Sequence, residues 1–376
     1  MLKWVWAVTA ASIAVLGLTA CSAGVPLPPA NEEVAMIERD KQAFVEAMKP
    51  RGDARPVVAV LALNEGTEMT DLLLPHAVLK RADVADVRIV APRAGRITLY
   101  PALEVDGAQD FADFDRQHPT GADYVIVPAM EPDNDPAVTA WLRQQAASGA
   151  RIIGVCSGVR VVGQAGLLDG RRFAGHWYDR KTLRERHPGA THVPHRRYVV
   201  DGNVATTTGI TASVPTMLAL VEAIGGRGKA QAVAAELGVS DWTPAHDSSR
   251  FGLDARRGAS YLLNKAAFWR DEQWRVDVHD GMDDVALALA ADAWARTGHV
   301  SVAASAAAPV MLKSGLVLVA QPVADASGRL PLASGIEPVP QLDRTLCEIA
   351  ARYGEARRDW VMQEMEYPGP QGACAR

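Results

Sequence analysis

The sequence has few cysteines and little net charge, and each shortage excludes a class of protein. Only 4 of the 376 residues are cysteine, too few for a small disulfide-stabilised scaffold and not spaced as paired zinc ligands. The net charge is −5, whereas general nucleic-acid binders usually carry an excess of positive charge. Hydrophobic residues make up 48% of the chain, which is a globular composition. We expect a folded protein with no metal, no cofactor and no nucleic-acid partner.

A long apolar run begins the chain. It extends from Trp4 to Leu18, behind the positive charge of Lys3, and is too short for a confident membrane-spanning helix. The following Leu-Thr-Ala-Cys sequence, ending at Cys21, resembles a bacterial lipobox, in which the cysteine becomes the lipidated first residue of the mature protein. The sequence therefore predicts a signal peptide at 1–20 and an exported protein. Cys21 would anchor it to a bacterial membrane, on the periplasmic face or the cell surface. The alternative is an uncleaved amino-terminal anchor.

Residues 21–55 contain several prolines and then helical spacing near 32–48, which predicts a tether followed by a first helix. Disulfides persist outside the cytoplasm. Cys347 and Cys374 could then pair, or remain two free thiols, because sequence spacing alone does not show their geometry.

Apolar runs and helical spacings alternate between residues 56 and 240. The runs predict strands at 56–63, 87–91, 124–128, 151–155 and 203–208, and the spacings predict helices at 69–82, 136–148, 157–165, 212–224 and 229–237. Such alternation is typical of a parallel sheet covered on both faces. We expect an α/β domain at 56–240 with a flavodoxin-like parallel sheet and helices on both faces.

A second, smaller α/β unit is predicted at 241–376. Its pattern indicates helices at 259–269 and 282–297 and strands at 274–278 and 300–304. The stretch from Val87 to Val105 aligns without gaps with the stretch from Val300 to Leu318, and their apolar positions coincide. We interpret the second unit as a partial, degenerate repeat of the first. The alternative is that any two β-α-β segments share this apolar rhythm. Because no second nucleophile turn appears in the copy, we expect it to be structural or a built-in partner of the first unit.

The chemistry is predicted at Gly154-Val155-Cys156-Ser157-Gly158, between a predicted strand and a predicted helix. This pattern is a nucleophile elbow in its cysteine form, with glycines where the backbone is crowded. A cysteine at a helix amino terminus is expected to be stabilised as the thiolate, the nucleophilic form. The alternative is a buried structural cysteine at the end of a strand.

At these residues the chain resembles the ThiJ/PfpI branch of the class I glutamine amidotransferase-like superfamily, over about residues 56–238. The motifs that carry the resemblance occur in order at 66–75, 155–172, 174–177 and 202–213. The elbow together with His176-Trp177 is closest to the subgroup of isonitrile hydratases and sensor domains of AraC-type regulators.

The resemblance implies roles for particular residues. Cys156 corresponds to the reactive cysteine, and Asp71 to the acidic residue that contacts its thiol. Such a carboxyl can assist the reaction of the thiol only when it is protonated, because an ionised one would raise the pKa of the thiol. A protonated one can donate a hydrogen bond or pass a proton. The alternative for Asp71 is a first-turn helix residue with Thr70 as the cap. Glu68 is the other candidate acid.

The remaining candidates surround the elbow. His176 follows Cys156 at a spacing similar to that of the family and is expected to act as base or orienter, or to be a hydrogen-bonded wall residue. The family usually ends its third strand in a Gly-Gly pair that contributes to the oxyanion hole. Here Ala129 and Met130 stand there, and their backbone N–H groups could still donate, with Gly154, Ser157 and Gly158 forming the elbow. The many arginines of 160–197 are expected to form a solvated basic face.

Together these observations predict a membrane-anchored, cysteine-dependent hydratase, hydrolase or lyase that acts on a small electrophilic substrate. The alternative is a non-catalytic lipoprotein of the same fold that senses a ligand or a redox change. The expected partners are a small molecule and, through the lipid on Cys21, a membrane. The chain could form a homodimer or an internal pseudo-dimer. Regulators of the AraC type add a DNA-binding helix pair, which the pattern of 241–376 does not predict.

Overall fold

The computed structural model describes residues 30–252 and 272–370, together with Cys374. Its strands are β1 (Val57–Leu61), β2 (Glu65–Glu68), β3 (Asp86–Ala91), β4 (Gly95–Tyr100), β5 (Glu104–Asp110), β6 (Tyr124–Val127), β7 (Arg151–Gly154), β8 (Arg172–Phe173), β9 (Thr191–His192), β10 (Tyr198–Asp201), β11 (Val204–Thr207), β12 (Glu272–Asp277), β13 (Val300–Ser305), β14 (Val310–Met311), β15 (Val317–Leu318) and β16 (Gly328–Arg329). Its helices are α1 (Ala30–Ala47), α2 (Met69–Ala82), α3 (Phe111–Gln117), α4 (Pro136–Ala147), α5 (Gly158–Gln164), α6 (Arg180–Arg186), α7 (Ser213–Gly225), α8 (Arg227–Leu237), α9 (Asp284–Ala295), α10 (Gln341–Tyr353) and α11 (Glu355–Met365).

The main sheet has a parallel centre. Its strands follow the order β10-β11-β7-β6-β1-β3-β5-β15-β14, and those from β11 to β5 run parallel to their neighbours. Side chains of β1 alternate between two cores: Val58 and Val60 pack with α2 and α7, whereas Ala59 and Leu61 pack with α4 and α5. The predicted flavodoxin-like parallel sheet with helices on both faces is confirmed.

The second unit has a small parallel sheet of its own, with the strand order β13-β12-β16. It is not separate from the first unit. Strand β15 pairs with β5 at the edge of the main sheet, and α9 packs against α2. One hydrophobic core includes Val60 and Leu74 of the first unit together with Val276 and Leu289 of the second. The two predicted units therefore share a core.

The predicted elements differ from the structure mainly where strands are short or polar. Strands β2, β4 and β5 and helices α3, α6, α10 and α11 were not predicted. Strand β5 contains Asp106, Gly107 and Gln109, so its sequence carries little strand signal. The predicted helix at 259–269 lies outside the described residues, as do the predicted signal peptide and Cys21. Among the helices of the described ranges, none is long and apolar enough to cross a membrane.

Candidate active site

Cys156 lies in a tight turn between β7 and α5. Its φ is +53°, a left-handed conformation that costs a residue other than glycine about 1–3 kcal/mol. A Cβ at Gly158 would lie 2.0 Å from the carbonyl oxygen of Val127, so any side chain there would push α5 away from β6. A Cβ at Gly154 would lie 2.9 Å from Val162. The flanking glycines thus let the helix pack directly behind the strained cysteine.

The turn is fixed from the neighbouring strand. The backbone N–H of Cys156 donates to Thr207 Oγ1 at 3.0 Å, at the end of β11. Thr207 Oγ1 in turn donates to the carbonyl of Thr208 at 3.1 Å. The cysteine is free and 6% exposed. It is a buried thiol held in one orientation.

Two acids at the start of α2 act on this thiol. Glu68, rather than Thr70, is the N-cap of α2, and its carboxylate accepts from the backbone N–H of Asp71 at 2.6 Å and from the Thr70 hydroxyl at 2.7 Å. Asp71 is fully buried, and its Oδ2 accepts from the backbone N–H of Ala129 at 3.1 Å. Its Oδ1 has no hydrogen-bond partner within the described part of the chain.

Burial determines the protonation of the acids. Burial and then the charge of Glu68 raise the pKa of Asp71 well above its ordinary value. Burial and then Asp292 raise the pKa of Glu68 to about 7, while Arg296 opposes the rise. Because Arg296 stabilises the charge on Glu68, Asp71 is the acid that keeps its proton at neutral pH. The Oδ1 of Asp71, which has no hydrogen-bond partner within the described residues, is then free to donate, and Asp71 is near enough to the thiol for its charge to influence the pKa of Cys156.

The pKa of the thiol moves in the opposite direction to the sequence expectation. Burial, followed by the charges of Asp71 and Glu68, raises the pKa of Cys156 well above its ordinary value. The amino terminus of α5 was expected to favour the thiolate, but α5 has only seven residues and its effect is outweighed. Once Asp71 is protonated it no longer raises the pKa of the thiol, whereas burial and the charge of Glu68 still do. The resting site therefore holds a neutral thiol beside a neutral carboxylic acid.

Arg296, which the sequence analysis missed, completes the cluster. It follows the last residue of α9, and its Nη2 donates to Glu68 Oε1 at 2.8 Å. Its Nε donates to Asp292 Oδ2 at 2.8 Å, and its Nη1 lies 3.6 Å from Glu364 Oε2. Burial lowers the pKa of Arg296, but the charges of Asp292 and Glu68 outweigh burial and raise it, so the guanidinium stays charged. No local motif marks this arginine, and it lies just before the aligned stretch that begins at Val300.

The other predicted site residues have different partners. The Ala129 N–H, an expected oxyanion donor, is already bonded to Asp71, and Met130 forms a β-bridge with Thr67. The Ser157 hydroxyl donates to Asp179. Through these contacts Ala129 and Ser157 hold neighbouring residues of the site in place.

His176 is buried beside the end of α11. Its Nε2 donates to the carbonyl oxygen of Glu364 at 3.1 Å, which requires the proton on that nitrogen. This bond occupies one ring nitrogen with a backbone group. The role of His176 as base or orienter stays a prediction.

The last turn of α11 and the residue after it, 363–366, form a C-terminal cover over this edge of the sheet. Trp177 Nε1 donates to the carbonyl of Gln363 at 2.6 Å, and Thr211 Oγ1 donates to that of Glu366 at 2.9 Å. A disulfide joins Cys347 in α10 to Cys374, 27 residues later, with their Cα atoms 5.4 Å apart. The cover is therefore part of a covalently closed loop.

The basic stretch at 160–197 is not simply a solvated face. Arg160 pairs with Asp133 at 2.6 Å, and Arg196 is largely buried and pairs with Asp40 at 2.6 Å. Arg180 lies 3.5 Å from the buried Glu366. That prediction is wrong for these arginines, because they bridge separate elements. Within residues 30–252 and 272–370, no group of three or more His, Cys, Asp or Glu is arranged to hold a metal ion.

Known proteins resemble this chain over the region that contains the elbow. The sequence profile of the DJ-1/PfpI family matches residues 57–223. Isonitrile hydratase of Pseudomonas putida is 31% identical over 183 residues, which are 47% of this chain and 75% of that enzyme. The chain belongs to the DJ-1/PfpI family.

Transcriptional regulators are also similar to part of this chain. The HTH-type transcriptional regulator CdhR of Pseudomonas aeruginosa is 33% identical over 125 residues, 33% of this chain. The chain covers only 37% of the length of CdhR. Among solved structures, a ThiJ/PfpI family protein from Pseudomonas syringae aligns with 65% of this chain and 94% of its own, at 21% identity and a TM-score of 0.48.

The DJ-1/PfpI region does not contain the whole cluster. Cys156, Asp71, Glu68 and His176 lie within residues 57–223. Arg296 and the C-terminal cover lie after that region, in the second unit. The family match therefore accounts for the thiol and the acids, and the rest of the chain adds the cation and the cover.

Proposed function

We propose that the chain is a cysteine-dependent enzyme that hydrates or hydrolyses a small electrophilic substrate at Cys156. The observation that carries this proposal is Asp71, a fully buried carboxyl with a raised pKa and an unpaired Oδ1, whose charge acts on a thiol in a strained turn. A structural cysteine needs neither the left-handed backbone nor a buried acid. Strain and perturbed pKa values together are typical of active sites.

A neutral thiol and a neutral acid can act as a proton relay. Asp71 gives its proton to the substrate, the sulfur of Cys156 bonds to the electrophilic carbon, and the thiol proton passes to Asp71. In the second half of the cycle Asp71 gives its proton to the bound substrate and takes one from the incoming water. It then gives that proton to the departing sulfur and takes the one that the new hydroxyl loses as the product forms. The acid ends each cycle protonated, as its raised pKa favours.

We propose isonitriles as the first substrate class, because a relative is named for their hydration. The terminal carbon of an isonitrile accepts the proton from Asp71 and then the sulfur, which gives a thioimidate. Water adds to the same carbon, the carbon–sulfur bond breaks, and an N-substituted formamide leaves. The overall change is the addition of one water, so no cofactor is needed.

Turnover of a small panel of isonitriles, aldehydes and thioesters tests the proposal. We expect a product with one water added from at least one class, detected by mass spectrometry: a formamide from an isonitrile, a hydroxy acid from a 2-oxoaldehyde, or an acid and a thiol from a thioester. Cys156→Ser should abolish turnover, and Asp71→Asn should lower it strongly. Asp284→Asn is a matched control, since Asp284 is a buried acid at the start of α9. Turnover that survives Cys156→Ser would contradict the proposal.

A sensing lipoprotein is the second candidate, and the burial of Cys156 favours it. The thiol is 6% exposed, and the C-terminal cover is bonded to Trp177, which follows His176, and to Thr211 in the turn after β11. The sensor proposal expects no turnover in the panel, together with a change in thermal stability when a ligand or a mild oxidant is added.

We also propose that Cys21 anchors the protein outside the cytoplasm. The disulfide between Cys347 and Cys374 supports export, because disulfides persist in oxidising compartments. Fractionation of cells that express the full chain tests this. We expect the protein in the membrane fraction and Cys21→Ser in the soluble fraction, whereas equal distributions would contradict the anchor.

A further inference from the structure

We infer that residues 272–318 are a second copy of the β1–β5 segment around an internal two-fold axis, and that Arg296 of this copy is a positioning residue for Glu68 and Asp71. The second unit thereby completes the site as an internal partner. The positioning role rests on the proposed thiol chemistry, whereas the symmetry stands on the backbone alone.

The two hairpins have the same hydrogen-bond register. Ile97 of β4 faces Val105 of β5, and a constant shift of 213 residues carries this pair to Val310 of β14 and Leu318 of β15, which also face each other. Leu99 N–H donates to the carbonyl of Leu103 at 3.1 Å. The shifted bond, from Leu312 N–H to the carbonyl of Leu316, is 2.8 Å. Two segments that merely share an alternation of apolar residues need not have the same hydrogen-bond register with no residue inserted.

The pairing of β5 with β15 locates the axis. These strands run antiparallel, and Val105 faces Leu318, which is its own counterpart in the copy. When equivalent residues of two antiparallel strands face each other, a two-fold axis passes between them. This is the self-complementary geometry of a symmetric dimer interface, here formed within one chain.

The helices obey the same shift. It carries α2, Met69–Ala82, onto 282–295, and α9 is Asp284–Ala295. The residues identical under the shift are Met69 and Met282, Asp71 and Asp284, Leu74 and Leu287, Ala77 and Ala290, and Ala82 and Ala295. The two helices pack against each other, and their ion pairs show that they are antiparallel.

An arginine at the end of each helix binds the N-cap acid of the other. Arg81, in the last turn of α2, lies 2.9 Å from Asp283, the N-cap of α9, and 2.8 Å from Asp284. Arg296, directly after α9, lies 2.8 Å from Glu68, the N-cap of α2. The two contacts are alike in kind, but the shift of 213 residues does not superpose the two arginines. The symmetry therefore places the helices, and Arg296 itself is a feature of the second copy alone.

At the Glu68 end this contact decides which acid holds the proton. A permanent cation on Glu68 favours its ionised form and leaves the proton on Asp71. Without Arg296, either Glu68 competes for the proton or its unpaired charge acts on the thiol. Both changes weaken the proposed relay. The charged and titratable groups that act on the thiol are Asp71, Glu68, Asp179 and Arg296, and those around Arg296 are Glu68, Asp292, Glu364 and Tyr100.

The pH dependence of Cys156 alkylation by iodoacetamide, followed on the full chain by mass spectrometry, tests the positioning role. Arg296→Gln removes a cation that lowers the pKa of the thiol, so the midpoint should rise by about one pH unit and the rate below it should fall about tenfold. Arg296→Lys should keep most of the wild-type midpoint. Arg81→Gln is the matched control, because Arg81 is also a largely buried arginine, at the opposite end of the pair, and its loss should leave the midpoint unchanged.

An unchanged midpoint in Arg296→Gln, or an equal shift in Arg81→Gln, would overturn the positioning role. If Arg296→Gln does not fold, as judged by circular dichroism, Glu68→Gln decides. It removes the negative charge that Arg296 holds beside the thiol and should lower the midpoint. A midpoint that does not fall overturns the inference. Alkylation needs no turnover, so this outcome is distinguishable from failure of the proposed enzyme activity.

Discussion

The two ends of the α2–α9 pair contain similar charges, but only one of them faces a cysteine. Asp71 Oδ2 accepts from the Ala129 N–H at 3.1 Å, and Asp284 Oδ2 accepts from the Ser314 N–H at 3.2 Å. Both acids are almost fully buried. The difference lies in the sheet opposite: at the first end β7 leads into Cys156, whereas Asp284 meets the turn before β15. The helix pair supplies similar charged groups at both ends. The proposed chemistry depends on the cysteine that the sheet contributes at only one of them.

The largest expected difference between the two ends is in catalysis. Asp71→Asn removes the proton donor and should lower kcat/KM about 10²- to 10⁴-fold, the usual contribution of acid–base catalysis. Asp284→Asn should leave turnover unchanged, because its carboxyl is at the opposite end. Steady-state kinetics on a substrate from the panel measure both. Equal losses of kcat/KM in the two variants would show that the two ends are coupled and do not differ in function.

Stability should respond similarly at both ends. Arg81→Gln leaves the buried Asp284 and the partly exposed Asp283 without their cation and should cost about 3–5 kcal/mol in the free energy of unfolding. Arg296→Gln should cost a similar amount. Urea unfolding followed by circular dichroism measures this. A small loss at one end alone would mean that the pairs are not equivalent.

The disulfide restrains only the end that contains the thiol. Replacing Cys347 and Cys374 by serine opens the loop that includes the C-terminal cover and should cost about 3 kcal/mol. Cys156 should also alkylate faster, because the cover is less restrained. The thermal midpoint and the alkylation rate at one pH measure the two effects. Slower alkylation would contradict the position of the cover.

The smallest expected effect is on the pH dependence of stability. The pKa of Glu68 is about 7 in the folded protein, against 4.5 ordinarily, so the folded state binds more protons than the unfolded state between these values. Stability should therefore fall as pH rises from about 4.5 to 7, by an amount on the order of 2 kcal/mol.

Urea midpoints at pH 5 and pH 7.5 measure this change. Glu68→Gln should flatten the dependence, and Glu65→Gln, on the exposed start of β2, controls for the loss of one carboxylate. A wild-type midpoint that rises with pH across this range would contradict the raised pKa of Glu68.

Much of the fold could be predicted because the central strands are apolar and buried on both faces. The strand predicted at 124–128 is observed as Tyr124–Val127, and the helix predicted at 69–82 has those bounds. Strands β14 and β15 have only two residues each. Their place in the sheet is set by the pairing of β15 with β5, and a pairing between distant strands leaves no local sequence pattern.

The site could be predicted only where a local motif marks it. A short pattern predicted the elbow around Cys156, and the family resemblance predicted Asp71 as its acid. Arg296 and Glu364 come from distant segments, and only the packing of α9 and α11 brings them to Glu68. The direction of the thiol pKa was wrong because the sequence shows the helix start but not the burial or the second acid.

Because β5 and β15 pair within one chain, the site should not be lost when the protein is diluted. A site shared between two separate chains is lost when the protein concentration falls below the dissociation constant, since association depends on mass action. Here the two halves are tied by one backbone, and the local concentration of one around the other is set by the connecting chain. A few copies per cell would hold as complete a site as a concentrated solution.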